Sequence, residues 1–253
     1  MDSFYMTLPS NSSMDVHPDN SLTDYKVRLP QPLTLQGEWE VGLVEITYPR
    51  RWYNVPEDSK FFYKLPGDVD WRRKDILPGY YDKPSDLLNA MKDDAFKDYI
   101  HFNYSKRSEK VKITLKEDSM LSIKDPICAM LGFAIPKKQK ITEQRQFESG
   151  EHPAEFVADV RPIQHLFVYT DIIEDHIVGD SKVPLIRTVK VSGKYGEAVM
   201  LNFENPHYIP LKQKFIDTIQ TSIRDDTGQK IRFTRGRVIL KLHFRQRRSA
   251  FFR

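Results

Sequence analysis

Apolar and polar residues alternate with a period of two along much of this chain. Tyr25, Val27 and Leu29 alternate with Lys26 and Arg28. Val111, Ile113 and Leu115 alternate with Lys112 and Thr114. Ile219, Thr221 and Ile223 alternate with Gln220, Ser222 and Arg224. Val238, Leu240, Leu242 and Phe244 alternate with Lys241, His243 and Arg245, broken by Ile239. A period of two sends one set of side chains to a core and the other to water. One-sided strands of this kind belong to antiparallel sheets more than to parallel ones.

Further strands are predicted at Phe4–Leu8, Leu22–Leu29 (ended by Pro30 and Pro32), Phe61–Leu65, Ile163–Ile173, Leu185–Val191, Ala198–Phe203 and Ile231–Phe233. Leu33–Leu35 and Trp39–Tyr48 read as a pair around Gly37. The apolar parity of the second member switches beside Gly42, as a β-bulge would require. Two short helices interrupt. Leu87, Leu88, Met91 and Ala95 have helical spacing after Pro84. Asp125 to Gly132 carries a cap, a first-turn proline and a glycine stop. Pro136–Pro162 reads as a long polar loop. Asp225-Asp226-Thr227-Gly228 is a hairpin-type turn signal, and Gly193-Lys194-Tyr195-Gly196 reads as a plain hairpin turn. Many strands with turns between them, plus long connections and two helices, predict an all-β, antiparallel, single jelly-roll sandwich with Greek-key connections. It is expected to span 1–245, followed by a basic and aromatic tail, 246–253.

Composition narrows the class. At 253 residues, 40% hydrophobic and 29% charged, the chain can bury a large core and is not a disordered polymer. No apolar run reaches the length of a membrane span. Met1–Ser13 has neither a basic start nor an apolar stretch, so no secretory signal is expected. Cys128 is the single cysteine, which excludes an intrachain disulfide and suggests a reducing compartment. The sequons at Asn11 and Asn103 carry no weight without secretion. Net charge is +4, but unevenly spread: the nine basic residues from Lys230 to Arg253 meet no acid, and the rest of the chain holds 30 basic against 35 acidic residues. Asp2, Asp15, Asp19 and Asp24 lie in the first 25 residues with no Lys or Arg. Such asymmetry suggests one end facing an anionic partner, or a solvated strand face.

Candidate chemistry is sparse. None of the seven histidines (17, 101, 152, 165, 176, 207 and 243) pairs at metal-ligand spacing. Asp171, Glu174 and Asp175 cluster after a strand without the spacing of a known cation loop, so a solvated bend is the simpler reading. Nucleophile elbows, phosphate-binding glycine loops and zinc-protease motifs are missing. No cofactor, metal or catalytic residue is predicted. Trp52, Tyr53, Trp71, Tyr80 and Tyr81 fall outside the strand pattern and are candidate subunit contacts, with core or loop packing as the competing reading. Arg245, Arg247, Arg248 and Arg253 are interleaved with Phe251 and Phe252. That mixture suits contact with nucleic acid, a groove on a neighbouring subunit, or a frayed end.

Several segments in order resemble the penton, or minor capsid, proteins of Polinton (Maverick) elements and the related adintoviruses. They are Phe4-Tyr5-Met6-Thr7-Leu8-Pro9-Ser10-Asn11-Ser12-Ser13, Gly37-Glu38-Trp39-Glu40-Val41-Gly42-Leu43 and Pro78-Gly79-Tyr80-Tyr81. Further along come Val168-Tyr169-Thr170-Asp171-Ile172-Ile173, Val178-Gly179-Asp180, Pro184-Leu185-Ile186-Arg187 and Leu242-His243-Phe244-Arg245. The resemblance spans nearly the whole chain. It implies a structural, non-enzymatic subunit forming homopentamers at the fivefold vertices of an icosahedral double-jelly-roll capsid around double-stranded DNA. Its implied partners are further copies of itself, the double-jelly-roll major capsid protein and, through the basic tail, DNA without sequence preference. Synthesis in the host cytoplasm, assembly in the nucleus and residence in the virion follow from the same resemblance. The rival reading of the residues is a β-sandwich module that binds carbohydrate or a receptor.

Overall fold

The computed structural model describes residues 2–135, 144–161 and 163–247. Alternation yields strands at once: β1 (Ser3–Pro9), β2 (Asp24–Thr34) and β3 (Trp39–Pro49) come first. Next are β4 (Lys60–Lys64), β5 (Arg72–Asp75), α1 (Pro84–Met91), β6 (Ile100–Ser105), β7 (Lys110–Leu115), β8 (Met120–Lys124), α2 (Ile127–Met130), β9 (Gln144–Phe147) and β10 (Gly150–Pro153). The last group is β11 (His165–Thr170), β12 (His176–Val178), β13 (Ser181–Val183), β14 (Leu185–Lys190), β15 (Ala198–Asn202), β16 (Ile209–Pro210), β17 (Phe215–Arg224) and β18 (Ile239–Gln246). Every strand pair is antiparallel.

The chain divides into two units, Met1–Trp52 with Ile163–Arg253, and Tyr53–Pro162. In the first, one sheet has the order β1-β18-β3-β15, with β16 also on β3, and the other β14-β11-β17-β2. Labelled in chain order, the eight long strands alternate between sheets in the way that defines a jelly roll: first, eighth, third and sixth on one side, second, seventh, fourth and fifth on the other. The first and last strands pair over their whole length, Ser3 opposite Arg245 through Pro9 opposite Ile239. Leu8, Tyr25, Val41, Ile46, Val168, Ile219, Leu242 and Phe244 lie in the core enclosed by the sheets. Tyr25 is buried with its hydroxyl donating to the Leu8 carbonyl (3.2 Å), which satisfies a polar group inside apolar surroundings.

The bulge expected beside Gly42 is present. Lys241 faces Glu45 and Leu242 faces Leu43, so Val44 is the extra residue, and the parity of β3 changes there. Gly42 itself is needed for space, since a Cβ would stand 2.9 Å from the His207 carbonyl oxygen and 3.1 Å from Pro206.

Other expectations are corrected. β2 does not stop at Pro30 but continues to Thr34, with a register shift opposite Ile216 and Thr218. It is the edge strand of its sheet, where a proline's missing N–H costs no ladder bond. Leu33 pairs with Ile216 rather than with β3, and Gly37, at φ +82°, turns the chain toward the opposite sheet. Ile231–Phe233 forms no strand, only isolated bridges, Lys230 to Arg224 and Phe233 to Trp52. The turns at 193–196 and 225–228 form, yet neither makes a hairpin, because β14 and β15, like β17 and β18, belong to different sheets.

All eight strands of the roll lie outside 53–162, whereas 1–245 had been read as one roll. The second unit has its own core, with Phe61, Leu88, Met91, Phe102, Ile113, Leu121 and Phe147 buried together. Its sheets run β5-β4-β8-β9 and β10-β7-β6. α1 begins with Pro84 in its first turn and buries Leu87, Leu88 and Met91, but ends before Ala95. α2 is a single turn; Gly132 at φ +84° follows it as the stop signal anticipated. Part of the expected loop 136–162 is strand: β9 pairs with β8 and β10 with β7. Residues 136–143 of that loop lie outside the described residues.

Candidate interaction surfaces

The outer face of the β1-β18-β3 sheet carries an aromatic and basic cluster that its register assembles. Tyr5 is opposite His243, and their rings stack at 4.5 Å. Tyr208 follows the segment that crosses Gly42. Its hydroxyl lies 2.7 Å from His243 Nδ1, and the Arg245 guanidinium sits 3.4 Å from its ring centre. Arg245 is also opposite Glu40, and their side chains pair at 2.6 Å. This is a cross-strand pair of opposite charge with a cation–π contact on one side. Partial burial, and then the charge of Arg245, hold the His243 imidazole below its usual value.

The basic C-terminal region is therefore less free than its composition implies. Glu40 serves both Arg245 and Arg247 (3.9 Å), Glu45 faces Lys241 (3.8 Å) and Asp24 meets Lys230 (2.6 Å). The tail begins later than expected, since Gln246 is still in β18 and Arg247 N–H donates to the Glu38 carbonyl (2.8 Å). Arg248, Phe251, Phe252 and Arg253 lie outside the described residues.

The aromatic candidates separate by burial. Trp52 is 4% exposed and packs edge-on against Phe233 at 5.7 Å, with Arg50 beyond it. It is a core residue of the roll, and its place outside the strand pattern reflects a bridge rather than a free loop. Tyr53 and Trp71 are 44% and 37% exposed. Lys64 reaches over the Trp71 ring at 5.7 Å. Tyr80 and Tyr81 are half-buried. Tyr81 donates its hydroxyl to the Leu77 carbonyl (2.8 Å), while Asn54 accepts from its N–H and burial raises its phenol pKa. These four aromatics belong to the Tyr53–Pro162 unit, and Arg245 to the other.

Chemistry for catalysis or metal binding is thin. No group of three or more His, Cys, Asp or Glu among the described residues is placed to hold a metal. Asp171 is engaged structurally: it accepts from Gln220 N–H (2.9 Å), and burial raises its carboxyl pKa. Burial pushes the Cys128 thiol up to about 12, far from a reactive thiolate. No helix among the described residues is long and apolar enough to cross a membrane. Tyr5, Tyr208 and His243 were not singled out from the sequence, although Tyr5 and His243 fall within the resembling segments. Only sheet register makes them neighbours.

Strand order and core together define an all-β, antiparallel jelly-roll protein with two short helices in its connections. No protein-family model matches this chain, and no curated protein matches it. Among solved structures it is similar to the mavirus penton protein, at 14% identity over 96% of this chain and 99% of that one, with a TM-score of 0.49. It is also similar to a chain of the Sputnik virophage structure, at 9% identity over 97% and 98% of the two chains, with a TM-score of 0.48.

Proposed function

We propose that this protein is a structural capsid subunit, a penton whose copies close the fivefold vertices of an icosahedral shell built from double-jelly-roll subunits. The observation that carries the reading is where the resembling segments fall. Five of the seven, Phe4–Ser13, Gly37–Leu43, Val168–Ile173, Pro184–Arg187 and Leu242–Arg245, overlap β1, β3, β11, β14 and β18, five of the eight strands of one roll, while Pro78–Tyr81 and Val178–Asp180 fall outside those eight. The resemblance follows the fold rather than a single loop. A rigid sandwich presents unlike lateral surfaces, and repetition of one head-to-tail contact closes a ring if the rotation divides a circle.

In this reading the subunit acts by shape, not catalysis, and its place is the virion, after synthesis and assembly inside the host cell. Tyr53, Trp71, Tyr80 and Tyr81 are its contacts with neighbouring capsid subunits; Trp52 is withdrawn because it is buried. Arg248 and Arg253, which lie outside the described residues, are its candidate contacts with DNA, made without sequence preference. The test is mass. Native mass spectrometry of the purified chain, alone and mixed with its double-jelly-roll capsid partner, should give a pentamer in at least one condition. A monomer in both would overturn the reading. Removing 248–253 should reduce DNA retained per particle while leaving the pentamer intact.

A further inference from the structure

The roll carries a groove at one end that none of the foregoing uses. It lies between the β1–β2 connection and the β17–β18 connection, with a volume of about 900 Å³. That is within the range of small-ligand sites. Its walls are tied together: Ser10 N–H donates to the Val238 carbonyl (2.8 Å), and Val238 N–H donates to Ser10 Oγ (3.1 Å). Among the described residues four cationic side chains line it, Arg224, Lys230, Arg232 and Arg237, and no carboxylate does. Two of the four are committed, Arg224 to the Gly228 carbonyl (2.9 Å) and Lys230 to Asp24. Arg232 and Arg237 are exposed and have no hydrogen-bond or ion-pair partner among the described residues. Asp15, Asp19, Asp225 and Asp226 sit on the same two connections but outside the lining.

We propose that this groove binds sulfated segments of an acidic polysaccharide, with Arg232 and Arg237 holding the sulfate groups. A guanidinium presents a planar fork of N–H donors that matches a tetrahedral oxyanion, and it stays charged at every physiological pH. Two guanidiniums with no partner among the described residues can turn to a ligand without breaking an existing ion pair. The lining decides between polyanions. Single-stranded nucleic acid takes much of its binding from bases stacked on open aromatic faces. Among the described residues the one aromatic ring lining this groove, Phe233, is half-buried and engaged by Trp52. A sulfated sugar chain needs cations and hydrogen-bonding groups but no stacking platform. This inference does not depend on the fivefold ring.

The experiment uses the full chain and fluorescence anisotropy with a labelled sulfated oligosaccharide prepared from heparin. The comparison probes are its desulfated counterpart and a single-stranded oligonucleotide of similar length. Binding should weaken with added salt. The double variant Arg232→Ala, Arg237→Ala should lose roughly tenfold or more in affinity. The double variant Lys106→Ala, Arg107→Ala removes two exposed charges elsewhere and should bind as the parent does. Equal affinity for the desulfated probe, tighter binding of the oligonucleotide, or equal losses in the two double variants would overturn the proposal. All four positions are exposed, so circular dichroism should show both variants folded.

Discussion

Phe244 and Phe215 provide the sharpest test of the sandwich. Both are phenylalanines in long strands of the roll, but Phe244 is fully buried and Phe215 is 58% exposed. Phe244 lies opposite Val41 on β3 and Phe4 on β1, and its ring stacks on Phe4 at 4.8 Å. Truncation to alanine removes the ring from water-free surroundings and leaves a cavity that two paired strands cannot collapse. The expected cost is about 3–5 kcal/mol. The same change at Phe215 removes a side chain already largely hydrated and should cost about 0.5 kcal/mol or less. Because a domain is stabilised by only about 5–15 kcal/mol, the first variant should lose a large share of its stability. Urea unfolding followed by tryptophan emission suits the measurement, since Trp39 and Trp52 are both in the core of this unit. The midpoint should fall sharply for Phe244→Ala with an unchanged slope, and barely move for Phe215→Ala. Comparable losses in both, or a loss below about 1 kcal/mol at Phe244, would refute the assignment of inner and outer faces.

Two further expectations follow from local geometry and charge. Gly132→Ala should destabilise the 53–162 unit more than Gly67→Ala: both glycines sit at φ +84°, but only at Gly132 would a Cβ run into the Phe156 backbone. Strain alone costs roughly 1–2 kcal/mol per residue, so the excess measured by thermal unfolding reports the clash; equal shifts would contradict it. His243 has its imidazole pKa lowered in the folded state, so the folded protein binds its proton less readily than the unfolded chain. Its contribution is present above the ordinary value of 6.5 and is lost as pH falls through that value toward the folded pKa. Replacement by Gln should flatten the stability profile in that window, and an unchanged slope would show that His243 does not titrate differently on folding.

Of the candidate surfaces, the sequence showed the basic excess near the C-terminus but not its neutralisation. Arg245 is in β18 and Arg247 follows it, whereas Glu40 arrives from β3 across a ladder that joins distant parts of the chain. The groove cations Arg232 and Arg237 could be seen as charges, yet that they find no partner among the described residues depends on which loop faces them. For Trp52 the sequence left contact and core packing open for a related reason: burial by a single bridge leaves no periodic mark.

What the sequence by itself determined is the local conformation. Alternation specified β2, β7, β17 and β18; Pro84 and Gly132 marked helix ends; parity in β3 announced the bulge. Each of these depends on backbone sterics and on side chains only a few residues apart. Tertiary structure alone decided which strands became neighbours. The turns at 193–196 and 225–228 have hairpin-like sequences but connect opposite sheets. Pro30 and Pro32 are tolerated because β2 came to lie at an edge. The physical reason is that a strand's hydrogen-bonding groups carry no address. Partners are selected by burying all the inward faces at once, a condition that no short stretch of the chain contains.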